Sequence, residues 1–292
     1  MSLITIANDI LTVEVNTTGA VLSGIRMNGI EYLWQGSPDF WRKKDANLFP
    51  YVGRLTDGHY LYKGSYYELG LHGFATGSEF TVTEKTDTMV QLTLRENEET
   101  LKSFPFAFVL HYRYHVEGNK VFKTTVVENP GDQTLHFGLG GHPGFQVPLN
   151  GEGDFTDWYL EFPEVSHPQR VLFNTTSYRM SGEVIPYELE GGRRIHLRHD
   201  LFDTDAVVLQ GMPRSVKLAS EKSRHSVTVD FPGMAHVGFW HTTCKPAPFV
   251  CVEPWVSLPS RHDRVEDIET QPHIIHLTAG DTYENVMTIT VE

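Results

Sequence analysis

From residue 107 to 116 the chain alternates. Phe108, Leu110, Tyr112, Tyr114 and Val116 fall on one side of an extended backbone, and Val109, His111, Arg113 and His115 fall on the other. A period of two predicts a half-buried strand of an antiparallel sheet. Similar runs, rich in the Val, Thr, Tyr and Phe that strands favour, occur at 11–15, 88–95, 119–128, 205–210, 226–231 and 285–291. Turn signals separate them: Asn28-Gly29, Glu117-Gly118-Asn119, Asn129-Pro130-Gly131-Asp132 and Glu190-Gly191-Gly192. Helical signal is confined to 97–103 and 199–203, each enough for a turn or two. With no internal repeat, low-complexity linker or compositional break, residues 1–292 read as one domain. A large antiparallel assembly must bury one sheet face against another, so the expected fold is all-β, a sandwich of two twisted sheets.

Composition narrows the class. The 292 residues are 40% hydrophobic and 21% charged, the balance of a soluble globular chain. No segment approaches the ~20 apolar residues of a membrane helix, and Met1-Ser2-Leu3-Ile4-Thr5 lacks the basic-then-apolar pattern of a secretory signal. A formal net charge of −13 argues against a nucleic-acid partner. The one basic run, Arg42-Lys43-Lys44, reads as a solvated edge before a loop, with a place near an anionic substrate as the alternative. Cys244 and Cys251, without Cys-x-x-Cys spacing, support neither a disulfide framework nor a zinc knuckle; both are expected to be reduced and buried, in a cytoplasmic protein. His196 and His199 lack an accompanying acidic motif and no His-Glu-x-x-His occurs, so no metal is expected. Gly140-Gly141-His142-Pro143-Gly144 lacks the spacing and context of a dinucleotide fingerprint, and no organic cofactor is expected either.

Four short segments set titratable side chains beside Gly, Pro or aromatic residues, where solvated charges would keep polar neighbours. They are Asn47-Leu48-Phe49-Pro50-Tyr51-Val52-Gly53-Arg54, Leu71-His72-Gly73-Phe74, Gly140-Gly141-His142-Pro143-Gly144-Phe145 and Phe249-Val250-Cys251-Val252-Glu253-Pro254-Trp255. Together they supply one guanidinium, two imidazoles and one carboxylate. A histidine exchanges protons near neutrality, and a desolvated Glu is tuned upward from about 4.3, so the set can form an acid/base pair. Taken singly, each residue has a plainer reading: Glu253 as a salt-bridged strand-end carboxylate, His142 as a turn residue, His72 as a satisfied core histidine, Arg54 as half of an ion pair.

The blocks ending in Gly53-Arg54, His72-Gly73-Phe74, Gly141-His142-Pro143 and Glu253-Pro254-Trp255 resemble the aldose 1-epimerase (galactose mutarotase) family, and in that order they are fairly specific. The nearest branch looks like the LacX-type proteins and the hexose-6-phosphate epimerases. There His-Gly-Phe-Ala is followed by Arg, and this chain has Thr76.

The resemblance implies the large mutarotase sandwich and a free aldose as partner, with Glu253 as catalytic base and His142 as general acid. It gives Arg54, His72 and an Asp to hydroxyl recognition. Asp205 is the best match for that Asp, with Asp203 two positions away and pointing the same way if the segment is extended. Interconverting anomers needs a proton delivered to the ring oxygen as another leaves the anomeric hydroxyl, which an acid and a base acting together provide. Trp240 and Trp255 could face the sugar, with Phe74 and Phe145 as walls. The rivals are a phosphosugar epimerase and a noncatalytic sugar-binding module; a glycosidase is disfavoured because no second carboxylate sits in a setting like that of Glu253.

Overall fold

A computed structural model describes residues 2–292. Two antiparallel sheets dominate. In the nine-stranded sheet the order is Arg194–His196, Trp158–Glu161, Ser215–Ser220, Val227–Asp230, Thr282–Val291, Lys120–Glu128, Val109–Glu117, Met89–Arg95 and Thr81–Lys85. The second sheet runs Met180–Pro186, Gln169–Phe173, Val207–Gln210, His236–Trp240, Phe249–Trp255, Gly140–Gly141 and Asn47–Leu48, with Gly144–Gln146 also paired to Phe249–Trp255. A four-stranded sheet over Leu3–Ala7, Leu11–Asn16, Val21–Met27 and Ile30–Glu31 adds its apolar side to the same core.

The alternation read at 107–116 becomes Val109–Glu117, where Leu110, Tyr112, Tyr114 and Val116 are buried and Arg113 is exposed. These residues share one hydrophobic cluster with Val207, Leu209, Val237, Phe239, Val250 and Val252 of the other sheet. The sandwich is therefore closed by side chains of opposing sheet faces, as the strand pattern requires. Helix is slight: Glu98–Ser103, capped by the Asn97 side chain, and short 3-10 turns, the one at His199–Phe202 among them.

Phe249–Trp255 lies inside its sheet and every residue in it is buried. Val250 and Val252 point into the core between the sheets, whereas Cys251, Glu253 and Trp255 belong to the opposite face. A strand covered on both sides explains why Phe249-Val250-Cys251-Val252 is apolar without alternation. The outer face of this sheet carries the site.

Candidate active site

Gly140 pairs with Trp255, and Gly144 pairs with Cys251. Both pairs obey one register, which sets His142 opposite Glu253 on the neighbouring strand. The Val252 N–H donates to the Pro143 carbonyl at 3.1 Å, and Pro143 has no N–H to return. The next position along, 142 with 253, is the kind of antiparallel pairing that brings side chains closest. His142 Nε2 lies 3.3 Å from Glu253 Oε2. Gly140 is required here, because a Cβ would stand 2.7 Å from Trp255 Cδ1 and 3.1 Å from Leu48 Cδ1.

The first two motifs clamp each other. His72 N–H donates to the Gly53 carbonyl at 2.9 Å, and Gly53 N–H donates to His72 Nδ1 at 3.1 Å. The Phe74 and Ala75 amides both bond the Phe49 carbonyl at 3.1 Å. Gly53 has φ of 73°, and a Cβ there would run into the Pro259 ring. This turn presents Arg54, whose guanidinium lies 5.9 Å from the centre of the Tyr178 ring.

These elements enclose a cavity of about 330 Å³, whose lining includes Arg54, His72, His142, Asp205 and Glu253. All five residues singled out from sequence line it. Asp203 does not: it ends the His199–Phe202 turn with helical dihedrals and is exposed, while Asp205 has φ of 87° and reaches the cavity. The segment is not extended, so the two carboxylates part. Trp240 and Trp255 line the cavity, but Phe145 is buried in the core and Phe74 packs against it.

Trp41 and Lys43 also line the cavity; the sequence pattern did not single out Trp41, and it offered Lys43 a place near the substrate only as the alternative to a solvated edge. Trp41 stacks on the His142 ring, with centroids 4.9 Å apart and planes at 26°. An aromatic pair, Phe40-Trp41, set against a basic run was the available signal. The reading of Arg42-Lys43-Lys44 as a solvated edge holds for Arg42 and Lys43, which are exposed, although Lys43 also reaches the cavity; Lys44 is half-buried. Lys43 Nζ donates to Thr76 Oγ1 at 3.2 Å, and Lys44 bonds the Gln35 side chain at 2.6 Å and the Ser23 carbonyl at 2.8 Å. Cys251 is buried as expected, but Cys244 is exposed. A second carboxylate does share the cavity with Glu253, since a fold can bring Asp205 there from 48 residues away in the chain.

Burial governs the electrostatics. It lowers the His142 imidazole to about 3, and the positive Lys43 and Lys123 push the same way. It raises the Glu253 carboxyl well above its ordinary range; Asp205 adds to this and the Trp255 indole N–H opposes it. His72 is driven well below the usual histidine value by burial, then by His142, Lys43 and Arg54. Asp205 is raised by burial against the Ala206 amide and Arg54. His142 and Glu253 are displaced in opposite directions, which favours a neutral imidazole beside a protonated carboxyl, with one proton between the two groups.

His142 and Glu253, in contact on the outer face of one sheet of a large β-sandwich, line one small cavity together with Arg54, His72 and Asp205. The sequence matches the family described as Aldose 1-epimerase over residues 2–265, and the chain belongs to that family. It is 32% identical over 301 residues to the plasmid-encoded protein LacX of Lactococcus lactis subsp. lactis, covering 99% of each. A galactose mutarotase related enzyme from Lactobacillus acidophilus superposes with a TM-score of 0.92 at 30% identity, covering 100% of this chain and 97% of that one. A galactose mutarotase-like protein from Lactobacillus casei gives 0.93 at 29%, with complete coverage of both. The fold is that of the galactose mutarotases.

Proposed function

We propose that this protein is an aldose 1-epimerase, a single-domain enzyme that interconverts the α and β anomers of a free aldose. The observation that carries the reading is the 3.3 Å contact of His142 Nε2 with Glu253 Oε2 at the floor of the cavity. In the reactive complex their shared proton rests on His142. The anomeric hydroxyl and the Trp255 N–H then favour the carboxylate form of Glu253. Glu253 takes the anomeric proton, His142 protonates the ring oxygen, and the C1–O5 bond breaks to give the open aldehyde. Rotation about C1–C2 turns the other carbonyl face to O5. Reclosure returns the O5 proton to His142, and Glu253 protonates the new anomeric oxygen.

Arg54, His72 and Asp205 hold the hydroxyls, and Trp41, Trp240 and Trp255 give the apolar sugar face its walls. With Gly53 N–H bonded to its Nδ1, the neutral His72 ring keeps its proton on Nε2 and offers a donor. Exchange of α and β anomers, followed by NMR on freshly dissolved glucose and galactose, tests the reading. Catalysed exchange is expected. Binding of an aldose without acceleration would instead favour a sugar-binding module.

A further inference from the structure

Behind the proton-transfer pair stands a third donor that ring opening leaves unused. Cys251 is two residues before Glu253 on the same strand face, is fully buried, and does not line the cavity. One ligand atom each of His142, Cys251 and Glu253 lie within 4.8 Å of one another, and the His142–Glu253 side of this triangle is 3.3 Å. In a tetrahedral zinc site, with Zn–S about 2.3 Å and Zn–N or Zn–O about 2.0–2.2 Å, donors stand roughly 3.3–3.8 Å apart. Small side-chain rotations from the observed positions would bring all three onto one ion. Imidazole, thiolate and carboxylate together are a donor set suited to zinc; magnesium and calcium would want oxygen alone.

We propose that His142, Cys251 and Glu253 form a binding site for one zinc ion, and that zinc bound there inhibits the enzyme. His142 and Glu253 line the cavity, so the ion has an entry path, and its fourth position faces the space that holds the sugar. All three donors lie on adjacent paired segments, Gly140–Gly141 to Gly144–Gln146 on one side and Phe249–Trp255 on the other, which limits how far they can spread. The ion displaces two protons to solvent, the thiol proton and the one that His142 and Glu253 share, and takes the thiolate, the imidazole lone pair and the carboxylate. Neither partner can then exchange protons with a sugar. Sequence spacing hides the site, because His142 is 109 residues from Cys251. The inhibitory half of the proposal rests on the catalytic roles proposed above; the binding half does not.

The test uses the whole metal-free, reduced chain in a Cys244→Ser background, which leaves Cys251 as its one thiol. Competition against a chromophoric chelator is expected to give one zinc per chain at high affinity. Cobalt as a probe should show a thiolate charge-transfer band and the visible spectrum of tetrahedral coordination. Cys251→Ala and Cys251→Ser should each lose the thiolate band and at least ~10²-fold in zinc affinity, more than second-shell changes usually cost. His142→Asn should lose affinity as well. Zinc inhibition of anomer exchange, normalised to each variant's own zinc-free rate, should shift by the same factor in the Cys251 variants. A cobalt spectrum without thiolate, or affinity unchanged in both Cys251 variants, overturns the site; acceleration by zinc overturns the inhibition. Tight, Cys251-dependent binding by a protein that turns over no aldose would sustain the site and sink the proposed activity.

Discussion

The Gly53 amide donates to His72 Nδ1 at 3.1 Å, and that bond decides what His72 can offer a ligand. Its pKa lies well below the ordinary histidine value, mainly through burial, so the ring is neutral and its remaining proton sits on Nε2. His72→Asn should therefore weaken sugar binding, raising KM by roughly 10-fold with some loss of kcat, about what one hydrogen bond in a desolvated site contributes. Steady-state kinetics of anomer exchange check this. An unchanged KM would return His72 to a structural role.

Glu253→Gln should separate activity from stability. The substitution keeps volume and hydrogen bonding but removes the base, and exchange should fall at least ~10²-fold. The folded-state pKa of Glu253 is raised, so the folded protein binds the extra proton more tightly than the unfolded chain does. Its contribution is complete below the ordinary 4.5 and is lost as pH rises through the raised value. The Gln variant should match wild type near pH 4.5 and exceed it at pH 8, by about 2 °C or more in Tm. Equal melting curves at both pH values would mean that Glu253 is not desolvated.

His142 gives the opposite slope. Its folded pKa is about 3 against an ordinary 6.5, so the unfolded chain takes up the proton first as pH falls. Stability linked to this group is whole above about 6.5 and drains away toward about 3. His142→Asn should abolish catalysed exchange and shrink the stability difference between pH 7 and pH 4 by on the order of 3 kcal/mol. Urea unfolding at the two pH values measures it, and an undiminished acid loss in the variant would contradict it.

Gly53→Ala tests the clamp. Positive φ costs a residue bearing Cβ about 1 kcal/mol, and the contact with Pro259 adds an overpacking penalty of about 1–3 kcal/mol. A loss of about 2–4 kcal/mol is expected, with a raised KM because Arg54 and the His72 anchor move together. A stable variant with native KM would show the turn to be adaptable.

Phosphate should not be preferred. Where related phosphosugar epimerases carry Arg, this chain has Thr76, and its hydroxyl is occupied by Lys43 Nζ at 3.2 Å. A lone ammonium on a flexible stem is not the bidentate clamp that guanidinium provides. In competition at matched ionic strength, glucose should show the higher kcat/KM over glucose 6-phosphate. A preference for the phosphate that disappears in Lys43→Met would reverse this and give Lys43 the anion.

By itself the sequence determined the strands with one wet face that alternate cleanly, and the local character of the site; strands such as His236–Trp240 and Phe249–Trp255, covered on both faces, carry no such alternation. Alternation at 107–116 and 119–128 is a property of neighbouring residues, because a strand with one wet face must repeat every two positions. Glu253 and His142 stood out for the same local reason: each is a titratable group among apolar, Gly and Pro neighbours. Tertiary structure decided the rest, because it depends on contacts between residues far apart in the chain. Register across Phe249–Trp255 set His142 against Glu253 and brought Cys251 to both. A left-handed residue after a 3-10 turn, which an extended reading cannot anticipate, sent Asp205 into the cavity and left Asp203 outside. Trp41 and Lys43 sit in a loop that reads as surface, and they became cavity wall only because that loop brings Trp41 onto the His142 ring.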